Sequence, residues 1–178
     1  VEPSCREALA VTKNKKIGMI ATLASARSGA YERTLKGLDA DVQVVSQPCP
    51  LFVPLVENGR FRQGDVVIET VAREYLEPLR ATGIDTLILG CTHYPLLRSL
   101  LRKVVGEKVT LVNPAYETSQ ALCRLLRELD LENPGNDELG RQKYQFFASD
   151  GVERFNAFAH SVLPEQISDT KQVQIENY

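Results

Sequence analysis

The chain has 178 residues, of which 43% are hydrophobic and 25% charged, an ordinary globular composition that excludes a disordered or fibrous sequence and supplies a sizeable core or two small ones. A formal net charge of -2 and a pI near 5.8 leave no electrostatic footprint for nucleic acid or an anionic membrane, and the lysines between 13 and 16 read as the solvated end of a helix. No apolar run approaches the roughly 20 residues of a membrane span and the start lacks signal-peptide form, so the expected location is cytoplasmic.

In chain order, residues 2–12 have helical composition and residues 17–22 read as a buried strand. Ser25, Ser28 and Gly29 then suggest a polar loop at that strand's carboxyl end. Residues 31–38 predict a short helix stopped near Gly37, and residues 42–46 the next strand. In the run 47–50, Pro48 and Pro50 flank Cys49 and remove two backbone donors, which predicts a fixed irregular loop with Cys49 as a packing residue. Residues 51–57 suit a turn or short helix, and 58–64 a mobile loop.

Asp65 can cap the next helix, in which Ile68, Val71, Ala72, Tyr75, Leu76 and Leu79 share one face, with Pro78 expected to bend or restart it and Gly83 to end it. Residues 86–89 are strand-like, Gly90 breaks the run, and Pro95 opens a helical pattern to about 105. Residues 109–112 follow as strand, and 118–129 as an amphipathic helix bearing Ala121, Leu122, Leu125, Leu126 and Leu129. A loop at 133–136, a strand at 144–148, a helix at 152–162 and strand-like alternation at 173–175 complete the reading. Strands alternating with helices predict an α/β fold with a largely parallel sheet flanked by helices.

The four cysteines, 5, 49, 91 and 123, include no C-x-x-C pair, so reduced thiols are expected, and His93 and His160 are too few for a structural zinc site. Cys91, Thr92 and His93 fall on the turn between a strand and a helix. Ligands bind outside the carboxyl ends of strands in open α/β sheets, and a helix start there would favour a reactive thiolate. The plain alternative is a buried thiol packed behind Gly90. Two neighbouring polar residues favour chemistry, since His93 can exchange a proton with a nearby group. A phosphatase loop C-x5-R fails on register, because Arg98 stands at C-x6-R. The glycines form no nucleotide-binding pattern.

The run Leu-Gly-Cys-Thr-His-Tyr-Pro-Leu-Leu at 89–97 resembles the second catalytic signature of bacterial glutamate racemases, and Gly-Ile-Asp-Thr at 83–86 matches as well. Similar stretches lie at 17–22 with 28–31, at 50–57 and at 150–155, so the resemblance covers most of the chain. His93 favours glutamate over aspartate racemases, which usually carry Glu there. The resemblance implies a cofactor-independent racemase, with no metal, that inverts glutamate between two cysteines on opposite faces and supplies D-glutamate for peptidoglycan. In that pattern Cys91 is one acid/base, His93 assists it, and Glu57 partners His93, although Glu57 alone reads equally as a solvated turn residue. Thr92, Thr22 and Ser25 match substrate-binding positions, Ser25 where the family commonly has Thr.

The family's Asp-Ser-Gly and Ala-Cys-Asn-Thr motifs, the latter carrying the other catalytic cysteine, do not occur here, and Asn113-Pro114 replaces a commoner Asp-Ser pair. With Val1 in place of Met, the chain reads as the carboxyl-terminal part of such an enzyme. By the resemblance, residues 1–114 form the second lobe of a two-lobed racemase and 115–178 the segment returning to the first, so the chain alone is expected to be inactive. The expected partner is a small-molecule substrate, with no nucleic acid and no membrane, and a homo-oligomer is left open. The alternatives are a non-catalytic binding or assembly module with the leucine-rich face of 118–129 as its interface, and an aspartate racemase-like enzyme.

Overall fold

Apolar runs in strands alternate with one-sided helices, and the computed structural model, which describes residues 1–133, 145–163 and 170–175, resolves them into two units, Val1–Glu132 and Asn133–Tyr178. The first contains α1 (Glu2–Val11), β1 (Lys16–Ala21), α2 (Leu23–Ser28), α3 (Ala30–Leu38), β2 (Gln43–Pro48), α4 (Phe52–Glu57), α5 (Val66–Ala81), β3 (Thr86–Gly90), α6 (Arg98–Val105), β4 (Thr110–Val112) and α7 (Pro114–Glu128). The strand order is β2-β1-β3-β4 and every pairing is parallel, Ala21 standing opposite Gly90 and Ile88 opposite Val112. The α/β class with a parallel sheet is as the alternating pattern predicts.

The sheet is covered on both faces. Ile17, Met19 and Ala21 of β1, with Ile88 and Val112, bury one face against Cys5 and Ala8 of α1 and Tyr31 and Leu35 of α3. On the other face a Cβ at Gly18 would lie 2.6 Å from Ile84 and 3.3 Å from Leu79, so the missing side chain lets α5 approach. α5 buries Ile68, Ala72, Leu76 and Leu79, and α6 packs beside it with Leu101, Val104 and Val105. A parallel sheet puts all its strand ends on one edge, so Thr22 and Cys91 follow neighbouring strands at the same edge.

Several expectations change. Ser25 and Ser28 lie in α2, not in a loop, because the Thr22 hydroxyl accepts the Ser25 amide and starts a helix. α3 ends at Leu38, as expected. β2 extends through Gln47 and Pro48, since an edge strand tolerates the missing N–H. α5 continues through Pro78, whose side chain is on the exposed face, where water can satisfy the freed carbonyl. Asp65 caps α5 as expected, accepting the Val67 amide at 3.0 Å.

The helix expected from Pro95 begins instead as a 3-10 turn, Tyr94–Leu97, and becomes α-helical only at Arg98. Cys91 is therefore not seated on an α-helix N-terminus, and the dipole argument for its reactivity does not carry. α7 starts at Pro114, four residues before the expected helix, because the Asn113 side chain accepts the Ala115 amide and Pro114 suits the first turn. That is the work of the unusual Asn-Pro pair.

In the second unit, Phe147–Ala148 form β5, Val152–Val162 α8, and Lys171–Gln172 β6, which pairs parallel with β5. The last strand thus falls two residues before the expected 173–175, with the Val173 amide still bonded to the Ala148 carbonyl. The expected loop at 134–136 and the start of the strand at Tyr144 lie outside the described residues. No helix among the described residues is long and apolar enough to cross a membrane.

Candidate active site

β3 is four fully buried residues, Thr86 to Leu89, with a half-buried Gly90 at its exit. At Gly90 a side chain has no room: a Cβ would lie 2.8 Å from the Ile20 carbonyl oxygen and 3.3 Å from the Ala21 Cβ. Glycine lets β3 close on β1 up to its last residue, and the Cys91 amide then turns back to the Leu89 carbonyl at 2.8 Å. The Tyr94 amide bonds the Cys91 carbonyl at 3.2 Å, fixing the turn that presents Cys91, Thr92 and His93.

The structure brings Cys91, His93 and Glu57 together. The Cys91 sulfur lies 3.8 Å from His93 Nδ1, with the Thr92 hydroxyl 3.4 Å from the same nitrogen. On the other side of the ring, Nε2 is 3.3 Å from the Glu57 carboxylate at the end of α4. The His93 and Glu57 side chains are 23% and 38% exposed, so water still screens the pair and its electrostatic strength is modest. A carboxylate at Nε2 orients the imidazole with Nδ1 toward the sulfur, the geometry of a thiol with an adjacent base and an orienting group.

Thr22 and Ser25 are bonded to each other, hydroxyl to hydroxyl at 3.1 Å, at the end of β1 beside β3. They do not line the cleft that opens over Cys91. That cleft, about 340 Å³, is bounded by Tyr31, Gly90, Cys91, Thr92, Asn113 and Thr118. The sequence assigned no site role to Tyr31 or Thr118, which lie within α3 and α7, where no local signal distinguishes a cleft wall from a packing residue.

The other cysteines are in different environments. All four are free; Cys5 and Cys49 are fully buried, and burial pushes their thiols up to about 11 and about 12. A thiol so raised stays protonated at neutral pH and is a poor proton acceptor. Cys123 is exposed on α7. Cys91 alone combines partial exposure with an imidazole neighbour and a cleft. His160 is exposed, its Nδ1 2.7 Å from the Asn156 carbonyl.

The Asp/Glu/Hydantoin racemase family model matches residues 1–122. A glutamate racemase of Geobacter metallireducens is 39% identical over 176 residues, covering 99% of this chain and 63% of the relative. The structure of a glutamate racemase isoform from Bacillus anthracis superposes with a TM-score of 0.86 at 37% identity, over 98% of this chain and 64% of that one. A Francisella tularensis glutamate racemase in complex with D-glutamate gives 0.86 at 29% identity, over 99% and 63%. The chain thus spans less than two thirds of the length of these relatives. With its parallel sheet, its Cys-Thr-His turn and a family match over residues 1–122, the chain belongs to the Asp/Glu/Hydantoin racemase family.

Proposed function

We propose that this chain is part of a glutamate racemase and carries one of the two proton-transfer groups of its site. The observation that carries the reading is Cys91, which lines a cleft and has His93, backed by Glu57, beside its sulfur. The relatives named above are glutamate racemases, one of them holding D-glutamate. In the proposed step the Cys91 thiolate takes the α-proton, breaking C–H and forming S–H, and a thiol on the opposite face returns a proton to the carbanion. His93 takes and returns the Cys91 proton as the thiol is readied, and Glu57 orients the ring. Thr92, at the cleft wall, donates to a substrate carboxylate, and Thr22 and Ser25 extend the polar edge toward it.

The α-proton is far less acidic than a thiol, so turnover requires donors aimed at the developing charge and exclusion of water. One wall does neither. We assign residues 1–114 to one lobe of a two-lobed site and residues 115–178 to a segment belonging with the other, so the chain alone is inactive. Optical activity of L- and D-glutamate tests this: the chain leaves both solutions unchanged, and the chain joined to a family first lobe brings both to zero rotation. Unchanged rotation with the joined protein would refute the racemase assignment, and inversion by the chain alone would refute the half-site assignment.

A second reading, assembly through α7, has its own support. Leu122, Leu125 and Leu129, spaced for one helix face, are 52%, 48% and 56% exposed. Light scattering tests it: concentration-dependent self-association supports the reading, and a monomer at all concentrations counts against it.

A further inference from the structure

The turn that presents Cys91, Thr92 and His93 runs directly into Tyr94, whose hydroxyl takes no part in the chemistry above. Tyr94 is fully buried, and its hydroxyl donates to the Cys49 carbonyl at 3.0 Å. Burial also raises its phenol well above the ordinary range, so the group keeps the proton it donates. The same Cys49 carbonyl accepts the amide of Phe52, the first residue of α4, at 3.3 Å. Phe52 meets the Tyr94 ring edge-on, with centroids 5.3 Å apart and planes at 87°, and Tyr75 of α5 closes its other side at 5.4 Å and 78°.

Cys49 is itself anchored. Its amide bonds the Ala21 carbonyl at 2.8 Å, at the β1 residue that pairs with Gly90. Pro48 and Pro50 on either side restrict the backbone that carries it. One fixed carbonyl therefore receives both the start of α4 and the continuation of the site turn. The far end of α4 is Glu57, 3.3 Å from His93.

We propose that Tyr94 is a positioning residue: its hydroxyl bond to Cys49 and its ring contact with Phe52 fix α4 against the turn, keeping Glu57 on His93 Nε2 while Nδ1 faces the Cys91 sulfur. A helix of six residues is roughly 9 Å long, so a tilt of about 10° at Phe52 displaces its far end by about 1.5 Å. A misplacement of that size takes the carboxylate out of contact with the ring. Phenylalanine would fill the same core space, so packing alone gives the hydroxyl no task. The proposal rests on Cys91 and His93 forming the proton-transfer pair, but its geometry is measurable without turnover.

The test uses the full chain and its Tyr94→Phe, Glu57→Gln and double variants. The first readout is the rate of Cys91 alkylation by iodoacetamide, separated from Cys123 by mass spectrometry. The second is the nuclear Overhauser contact between the His93 ring and the Glu57 methylenes. Glu57→Gln slows alkylation about threefold to tenfold; Tyr94→Phe does the same and abolishes the contact, and the double variant matches either single one. Placing p-aminophenylalanine at position 94 restores a donor and with it both the rate and the contact. Leu101→Ala loosens the buried core of α6 and leaves the contact in place.

A Tyr94→Phe chain that keeps the contact and the rate overturns the proposal, as does loss of the contact in Leu101→Ala. Should Tyr94→Phe fail to fold, Phe52→Leu breaks the other half of the clamp and is read in the same way. Failure of the racemase reading looks different: the contact and the coupling persist, and the joined two-lobed protein leaves glutamate unchanged.

Discussion

The two ends of β3 use polar residues in opposite ways. At the entry, the Asp85 carboxylate accepts four hydrogen bonds, from the Thr12 hydroxyl at 2.6 Å, the Lys13 and Asn14 amides at 2.7 and 2.8 Å, and the Thr86 hydroxyl at 2.9 Å. At the exit, the contacts among Cys91, Thr92, His93 and Glu57 run from 3.3 to 3.8 Å, and Cys91 and Thr92 line a cleft. The first set is closed and short, and ties the α1–β1 loop to the sheet. The second is loose, as catalytic contacts often are before substrate arrives. Polar density alone therefore does not distinguish the candidate site from a structural network; the cleft beside Cys91 and Thr92 does.

Gly90→Ala should separate the two ends most sharply. Its Cβ meets the Ile20 carbonyl oxygen at 2.8 Å, and backbone cannot yield as a side-chain tip can. The expected cost is about 1–3 kcal/mol in denaturant unfolding, with Cys91 displaced from β1 and the Asp85 network intact. Equal stability of the variant would show that β3 does not need that closeness.

Asp85→Asn removes charge from the closed end, and its effect should depend on pH. Burial alone would raise this carboxyl, but the bonds from Thr12, Lys13, Asn14 and Thr86 together outweigh burial and hold it below the usual range. A lowered folded value means that the stabilisation is fully present above the unfolded value of ~3.9 and is lost as the pH falls through the folded value. Unfolding at neutral pH should show a loss of roughly 1–2 kcal/mol that shrinks in acid. A pH-independent loss would assign the effect to shape rather than charge.

The smallest effect is expected on α7. Leu125→Glu adds a charge where the side chain is already exposed, so the stability of the chain should change by less than about 0.5 kcal/mol. Light scattering should show weaker self-association in the variant. A large loss of stability would mean that α7 is packed more tightly than its exposure indicates.

Most of the first unit was legible in the sequence because its strands are short apolar runs and its helices are one-sided. Ile17 to Ala21 and the face Ile68, Ala72, Leu76 and Leu79 needed only period and polarity. Legibility failed where a single side chain decides the backbone. Thr22 turns an expected loop into α2, and Asn113 starts α7 early. Pro78 on an exposed face leaves α5 intact, and Pro95 yields a 3-10 turn in place of an α-helix. At the site, the Cys91 motif was readable in the chain, whereas the reach of Glu57 to His93 depends on how α4 docks. The roles of Cys49 and Tyr94 depend on a pairing 45 residues apart, which local patterns do not encode.

The central claim is that Cys91 serves one face of a two-sided proton transfer, and solvent exchange tests it most directly. The joined two-lobed protein carrying Cys91→Ser is incubated in deuterium oxide with L- and D-glutamate separately, and loss of the α-proton is followed by proton NMR. The account predicts that exchange from one enantiomer is suppressed by about 10²–10⁴-fold while exchange from the other largely persists. Equal loss from both enantiomers would contradict the assignment of Cys91 to a single face.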